Sequence, residues 1–268
     1  MKSKSTFRGK YGPWAVIAGG SEGVGAEFAK MLAEVGFDLV LIARKPAPLH
    51  DTADVCRGLG AMVIPLALDL LADDAAARIA EVTAAIDVGL LIYNAGASTC
   101  NEPFLDADLA EFGKVIDLNV TRMLELTQHF GRRMVARAGG GIMLVGSLSG
   151  YMGAERHSVY SGVKAFSRVF AESLWLELRD HNVDVLELVL GVTRTPAMER
   201  VGLNFDAPGM TVNDPAEVAR EGLDQLGRGP VHVAGGNAER AALNSGPDRA
   251  KIVLESHEAI QLLTRSIR

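Results

Sequence analysis

The sequence predicts an α/β fold: a doubly wound parallel sheet of about seven strands flanked by helices. Three observations predict it. Short apolar runs alternate with longer amphipathic ones from residue 14 to residue 233. The runs read as strands are apolar throughout, as in strands covered on both faces. A glycine-rich turn joins the first strand directly to the first long helical segment.

The elements follow in order. Trp14–Ala18 reads as a strand, Gly23–Val35 as a helix, and Leu39–Ala43 and Met62–Leu68 as further strands. Gly89–Tyr93, Gly141–Val145, Val183–Val189 and Val231–Val233 complete the set. Helical period marks Ala75–Ala85, Leu105–Arg137, Ser158–Arg179, Pro215–Leu226 and Ala250–Ile267, the last carrying Ile252, Leu254, Ile260, Leu262 and Leu263. With no repeat or linker to divide it, the chain is expected to form a single domain over residues 1–268. Residues 194–214 break the pattern, mixing Pro196, Pro208, Gly202 and Gly209 with Met198, Val201, Leu203, Phe205 and Met210. Such a segment suits a substrate lid, or a surface loop with no role.

Composition bounds the function. The chain has 268 residues, 48% of them hydrophobic and 22% charged, with a net charge of −6. An acidic chain lacks the basic footprint that nucleic-acid binding requires, so a small-molecule substrate is the expected partner. Cys56 and Cys100 share no CxxC or metal-ligand spacing, so no metal is expected and a cytoplasmic location fits. No window of about 18 residues is free of charge or glycine breaks, so no transmembrane segment is expected.

The turn Ala18-Gly19-Gly20-Ser21-Glu22-Gly23-Val24-Gly25 places backbone N–H groups where a pyrophosphate meets the positive end of a helix. Gly19, Ser21, Glu22, Gly23, Val24 and Gly25 are therefore candidate cofactor contacts in a Rossmann-like, dinucleotide-binding domain. After the second strand a carboxylate would be expected for NAD, but Ala43 is followed by Arg44 and Lys45. Arg44 suits a 2′-phosphate, making NADP the preferred cofactor with NAD possible. Glu22 is the contrary sign.

Tyr160-Ser161-Gly162-Val163-Lys164 sets a phenol and an ammonium on one helix face. A phenol ionises near pH 10, so acting near neutrality requires roughly 4 kcal/mol of preferential stabilisation, which a neighbouring cation supplies. Alone, such a pair is commonly an exposed neighbour pair. Ser147, at a strand end thirteen residues earlier, adds a donor for a carbonyl oxygen. Ser149 competes with it.

Together these motifs resemble the short-chain dehydrogenase/reductase family over residues 12 to 235. The glycine spacing is similar to its T-G-x-x-x-G-x-G fingerprint, with Ala18 in place of threonine. Tyr93-Asn94-Ala95-Gly96 resembles its N-N-A-G signature, and the Tyr160/Lys164 pair its catalytic helix. The resemblance implies catalytic roles for Asn119, Ser147, Tyr160 and Lys164, and favours Ser147 over Ser149. It implies cofactor contacts at Asp69, Leu70, Asn94, Ala95, Gly96, Tyr160, Lys164, Thr193 and Thr195. Asp69 would meet the adenine and Asn119 would hold a water linked to Lys164.

One signature departs. Leu190-Gly191-Val192-Thr193 lacks the proline that the family carries before the glycine, which is expected to loosen the loop beside the nicotinamide. Lys10-Tyr11-Gly12-Pro13-Trp14-Ala15-Val16 and Leu41-Ile42-Ala43-Arg44 look similar to the branch with 3-ketoacyl reductases and 17β-hydroxysteroid dehydrogenases. The resemblance implies an NAD(P)-dependent oxidoreductase interconverting a ketone or aldehyde and an alcohol, on an apolar ketoacyl or steroid-like compound. It also implies a homodimer or homotetramer. The alternative is a catalytically inactive NADP(H)-binding redox sensor.

Overall fold

A computed structural model of the chain describes residues 4–200, 202–206 and 210–265. Of the residues named above, Val201, Pro208, Gly209 and Ile267 lie outside the described residues, as do the side chains of Ile260, Leu262 and Leu263.

Seven strands form one parallel sheet: β1 Trp14–Ala18, β2 Asp38–Ala43, β3 Val63–Ala67, β4 Val88–Tyr93, β5 Gly140–Ser147, β6 Val183–Leu190 and β7 Val231–Val233. Their order is β3-β2-β1-β4-β5-β6-β7. The chain winds outward from β1 to β3, then returns to the other side of β1 from β4 onward. This reversal opens a crevice between the carboxyl ends of β1 and β4, where ligands bind in such sheets. Pro65 sits in β3, an edge strand, where its missing N–H costs no internal ladder bond.

Helices cover both faces. On one side α1 Lys4–Tyr11, α2 Gly23–Val35, α3 Pro46–Gly58 and α9 Pro215–Gln225 bury Phe7, Phe28, Leu32, Leu49 and Leu223 against Ile17, Leu39 and Leu41. On the other, α4 Ala75–Thr83, α6 Arg122–Ala136 and α7 Ser158–Leu178 bury Ile79, Leu126, Phe130 and Ala171 against Val16, Leu91 and Ile142. Alternate residues of each fully buried strand thus feed opposite layers.

Local chemistry accounts for several boundaries. Gly36 ends α2 at φ 93, its N–H donating to Ala33 O while Phe37 N–H donates to Leu32 O. Asp214 caps α9, accepting from Ala216 N and Glu217 N ahead of Pro215.

The structure corrects the sequence expectation in five places. Helices α1 and α3 occur where none is expected; α3 carries two prolines, but both sit in its first turn, where no helical N–H bond is lost. The expected continuous helix Leu105–Arg137 begins at Leu109, after the Asp108 cap, as α5 Leu109–Ile116. It then passes through a π turn at Asp117–Thr121 before α6. The 194–214 segment contains a short helix, α8 Pro196–Arg200, and the C-terminal region holds α10 Ala238–Asn244 before α11 Arg249–Arg265.

Candidate active site

The glycine turn is built by close approach. Gly19 has φ 83, and its N–H donates to Ile42 O at 2.8 Å, curling the chain back over β2. A Cβ added to Gly25 would fall 1.9 Å from Gly19 O and 2.7 Å from Asn94 Nδ2. Asn94 Nδ2 donates to Gly19 O at 2.9 Å while its backbone N–H donates to Ala18 O, so β4 braces the turn. Thr52 Oγ1 on α3 donates to Ser21 O at 2.9 Å, holding the turn from the other side.

The remaining cofactor candidates surround this turn. Arg44 is exposed beyond β2, with no hydrogen bond or ion pair among the described residues. Asp69 is exposed after β3, accepting from Leu71 N, and Leu70 is buried beside it. Thr195 packs on Gly23, where an added Cβ would come within 2.9 Å of Thr195 Cγ2. Glu22 is engaged by Arg200 of α8 through two hydrogen bonds, Arg200 Nη1 to Glu22 Oε2 at 2.9 Å and Arg200 Nη2 to Oε1. That guanidinium, with Lys45 nearby, holds the Glu22 carboxyl below the usual range.

The catalytic candidates lie along the same edge. The π turn presents Asn119 inward, only 3% exposed, with Nδ2 donating to Val115 O at 2.9 Å and Ala97 O at 3.1 Å. Its Oδ1 is buried without a hydrogen-bond partner among the described residues. An acceptor left so is costly unless water or a ligand meets it. Lys164, 7% exposed, donates from Nζ to Val145 O at 3.1 Å and stands 5.7 Å from the centre of the Tyr160 ring. Both groups converge on Gly96: a Cβ there would meet Asn119 Oδ1 at 2.7 Å and Lys164 Nζ at 2.8 Å. Side chains 23 and 68 residues away in the chain thus enclose one glycine. Ser147 ends β5, its Oγ accepting from Ser149 N at 3.2 Å, so Ser149 follows it in the turn Leu148–Tyr151.

The loop after β6 is held in a way the sequence did not disclose. Asn237 Nδ2 donates to Asn213 Oδ1 at 3.0 Å and to Ala234 O at 2.9 Å, and Asn213 Nδ2 donates to Gly235 O at 3.0 Å. Thr193 pairs with Asn213 through the backbone, and Gly191 abuts Asn237. The loosening expected from the absent proline is therefore opposed by two asparagines. Neither they, nor Thr52, nor Arg200 carries a local signal, because each acts on a partner more than 20 residues away.

A reversed parallel sheet, a glycine turn that tolerates no side chain, and a phenol–ammonium helix at one crevice define a dinucleotide-binding α/β protein of the oxidoreductase class. A sequence profile described as short chain dehydrogenase matches residues 13–204, and the chain belongs to that family. It is 37% identical over 198 residues to a very-long-chain 3-oxoacyl-CoA reductase of Podospora anserina, covering 72% of this chain and 58% of that protein. It is 29% identical over 249 residues to a 7beta-hydroxysteroid dehydrogenase of Clostridium sardiniense, covering 92% and 95% of the two chains. A short-chain dehydrogenase from Sphingobium yanoikuyae in complex with NADPH has the same fold, with TM-score 0.76, 28% identity and 96% of each chain covered. The chain thus spans less than two thirds of the fungal reductase but nearly all of the bacterial steroid enzyme.

Proposed function

We propose that this chain interconverts a ketone or aldehyde and an alcohol, using NADP(H) in preference to NAD(H), on an apolar ketoacyl or steroid-like compound. The observation that carries the reading is the convergence of Lys164 Nζ and Asn119 Oδ1 on Gly96, with the Tyr160 ring against the same ammonium. When bound, the nicotinamide supplies or accepts the hydride. Ser147 donates to the substrate oxygen, and Tyr160 gives or takes its proton. Lys164 favours the phenolate by its charge and Asn119 Oδ1 accepts from a water that returns the proton.

The residues around the turn suit that cofactor. Gly19, Gly23 and Gly25 let the turn pack closely without side chains, Ser21 and Val24 lie in the same turn, and Thr195, in the loop after β6 that also holds Thr193, packs on Gly23. Arg44, exposed at the strand end, suits a 2′-phosphate, while Asp69, Leu70, Asn94 and Ala95 line the adenosine side. Glu22, neutralised by Arg200, no longer opposes a phosphorylated cofactor. The 3-oxoacyl-CoA and hydroxysteroid names of the relatives, with the apolar 194–214 segment as a lid, support a greasy substrate.

Self-association belongs to the same proposal. Phe166, Val169 and Leu176 leave an exposed apolar stripe along α7, as Leu109 and Ile116 do on α5, which suits a homodimer or homotetramer. Among the described residues no helix is long and apolar enough to cross a membrane. The cytoplasmic location expected from cysteine usage stands as part of this reading.

A panel of apolar ketones and secondary alcohols assayed with NADPH and NADH in parallel tests it. Turnover with NADPH at lower KM than NADH is expected. Binding of NADPH with no turnover on any member would favour the redox sensor, and turnover confined to NADH would overturn the role of Arg44.

A further inference from the structure

Glu187, in the middle of β6, is 1% exposed. Val183 and Val185, which alternate with it along the strand, face the layer under α7, so its side chain enters that layer too. Its carboxyl lies on the backbone of Gly146 across the β5–β6 pair: a Cβ at Gly146 would fall 2.2 Å from Glu187 Oε1 and 2.7 Å from Cδ. Glycine at 146 makes the room. Glu187 Oε2 is buried with no hydrogen-bond partner among the described residues.

A carboxyl in this position is expensive, and an aliphatic side chain would fill a strand core without that cost. Its surroundings point to what it does. Gly146 lies between Val145, whose carbonyl accepts from Lys164 Nζ, and Ser147. From α7, Lys164, Ser167 and Arg168 favour its charged form and Glu172 opposes it; from the turn after β5, Tyr151 feels its charge.

We propose that Glu187 is a positioning residue that acts through Lys164, its charge state setting how much of the ammonium's field reaches Tyr160. The inference rests on the roles proposed above for Tyr160 and Lys164. With the carboxyl neutral, the whole field of the ammonium favours the phenolate. With the carboxylate formed, part of that field is cancelled and the phenol holds its proton more firmly. Burial pushes the Glu187 carboxyl up to about 7, so its change of charge falls in the neutral range.

The test is the pH profile of kcat/KM for alcohol oxidation, which needs the phenolate, in wild type, Glu187→Gln and Glu187→Asp. Glutamine, neutral at every pH, should move the rising limb to lower pH by about half a unit or more, roughly threefold in rate on the limb, with NADP affinity unchanged. Aspartate should restore part of the wild-type position. Superimposable wild-type and glutamine profiles would overturn the inference.

Should the glutamine variant fail to fold, the Glu187 carboxyl carbon can be followed by NMR in wild type and Lys164→Met. Loss of the ammonium should raise the Glu187 midpoint by about half a unit or more, and an unmoved midpoint overturns the inference equally. Full turnover by Tyr160→Phe would remove the roles proposed for Tyr160 and Lys164. An inactive Tyr160→Phe with an unmoved Glu187→Gln profile would remove this inference alone.

Discussion

Replacing Gly25 with alanine probes the cofactor turn at its tightest point. The added methyl would sit 1.9 Å from Gly19 O, a carbonyl already accepting from Asn94 Nδ2, and 2.7 Å from that nitrogen. Carbon atoms do not approach backbone oxygen so closely, so about 1 Å must open between the first turn of α2 and the glycine loop. Overpacking of this kind costs about 1–3 kcal/mol, and losing the Asn94 bond adds about 1 kcal/mol. For a chain of this size, that corresponds to a fall in Tm of roughly 5–12 °C. The same opening displaces the N–H groups proposed to meet the pyrophosphate, so NADPH binding should weaken by about 10- to 100-fold, or about 1.4–2.8 kcal/mol. Thermal melts by circular dichroism and fluorescence titration with NADPH read both quantities. Gly113→Ala is the control, since a Cβ there meets nothing within 4 Å and it lies inside α5. It should be neutral or mildly stabilising. A Gly25→Ala protein with wild-type Tm and wild-type NADPH affinity would refute the packing argument.

Arg44→Ala should raise KM for NADPH by about 10-fold or more while leaving KM for NADH within about twofold, as steady-state kinetics with both cofactors will show. Asn237→Ala takes one donor each from Asn213 Oδ1, Ala234 O and Gly235 O and breaks the clasp between the two loops, so a loss of about 1–3 kcal/mol in urea denaturation is expected, together with a raised cofactor KM. Glu187 adds a pH dependence of stability. Its folded pKa, about 7, lies above the ordinary carboxylate value, so the native state binds the extra proton. Its contribution is therefore neutral below about pH 4 and increasingly destabilising as pH rises to about 7. Between pH 5 and pH 8, Glu187→Gln should gain about 2–3 kcal/mol relative to wild type by urea titration; parallel stability profiles would show that the carboxyl does not titrate as argued.

The sheet was legible because its strands are apolar on both faces and separated by helices of clear period, so all seven strands fall within two residues of expectation at each end. Helix α3 was hidden by two prolines, which read as breakers until their place in the first turn is known. The break at Asp117–Thr121 was hidden because a π turn adds one residue without disturbing the apolar period around it. Asn119 was legible as a candidate by resemblance, yet its inward presentation comes from that turn. In the site, Tyr160 and Lys164 were readable from their spacing on one helix, and the glycines from their run. The Arg200–Glu22 pair spans 178 residues, and the Asn213–Asn237 clasp joins two loops, so periodicity gives neither. Glu187 reads as a blemish in a strand until Gly146 is seen to make space for it.

Tyr160→Phe, assayed for ketone reduction beside an NADPH titration, bears most directly on the proposed chemistry. The substitution removes one hydroxyl and keeps the ring against Lys164, so NADPH affinity should stay within about threefold while kcat falls by roughly 100- to 10,000-fold. A variant that binds NADPH normally and turns over at the wild-type rate would contradict the account.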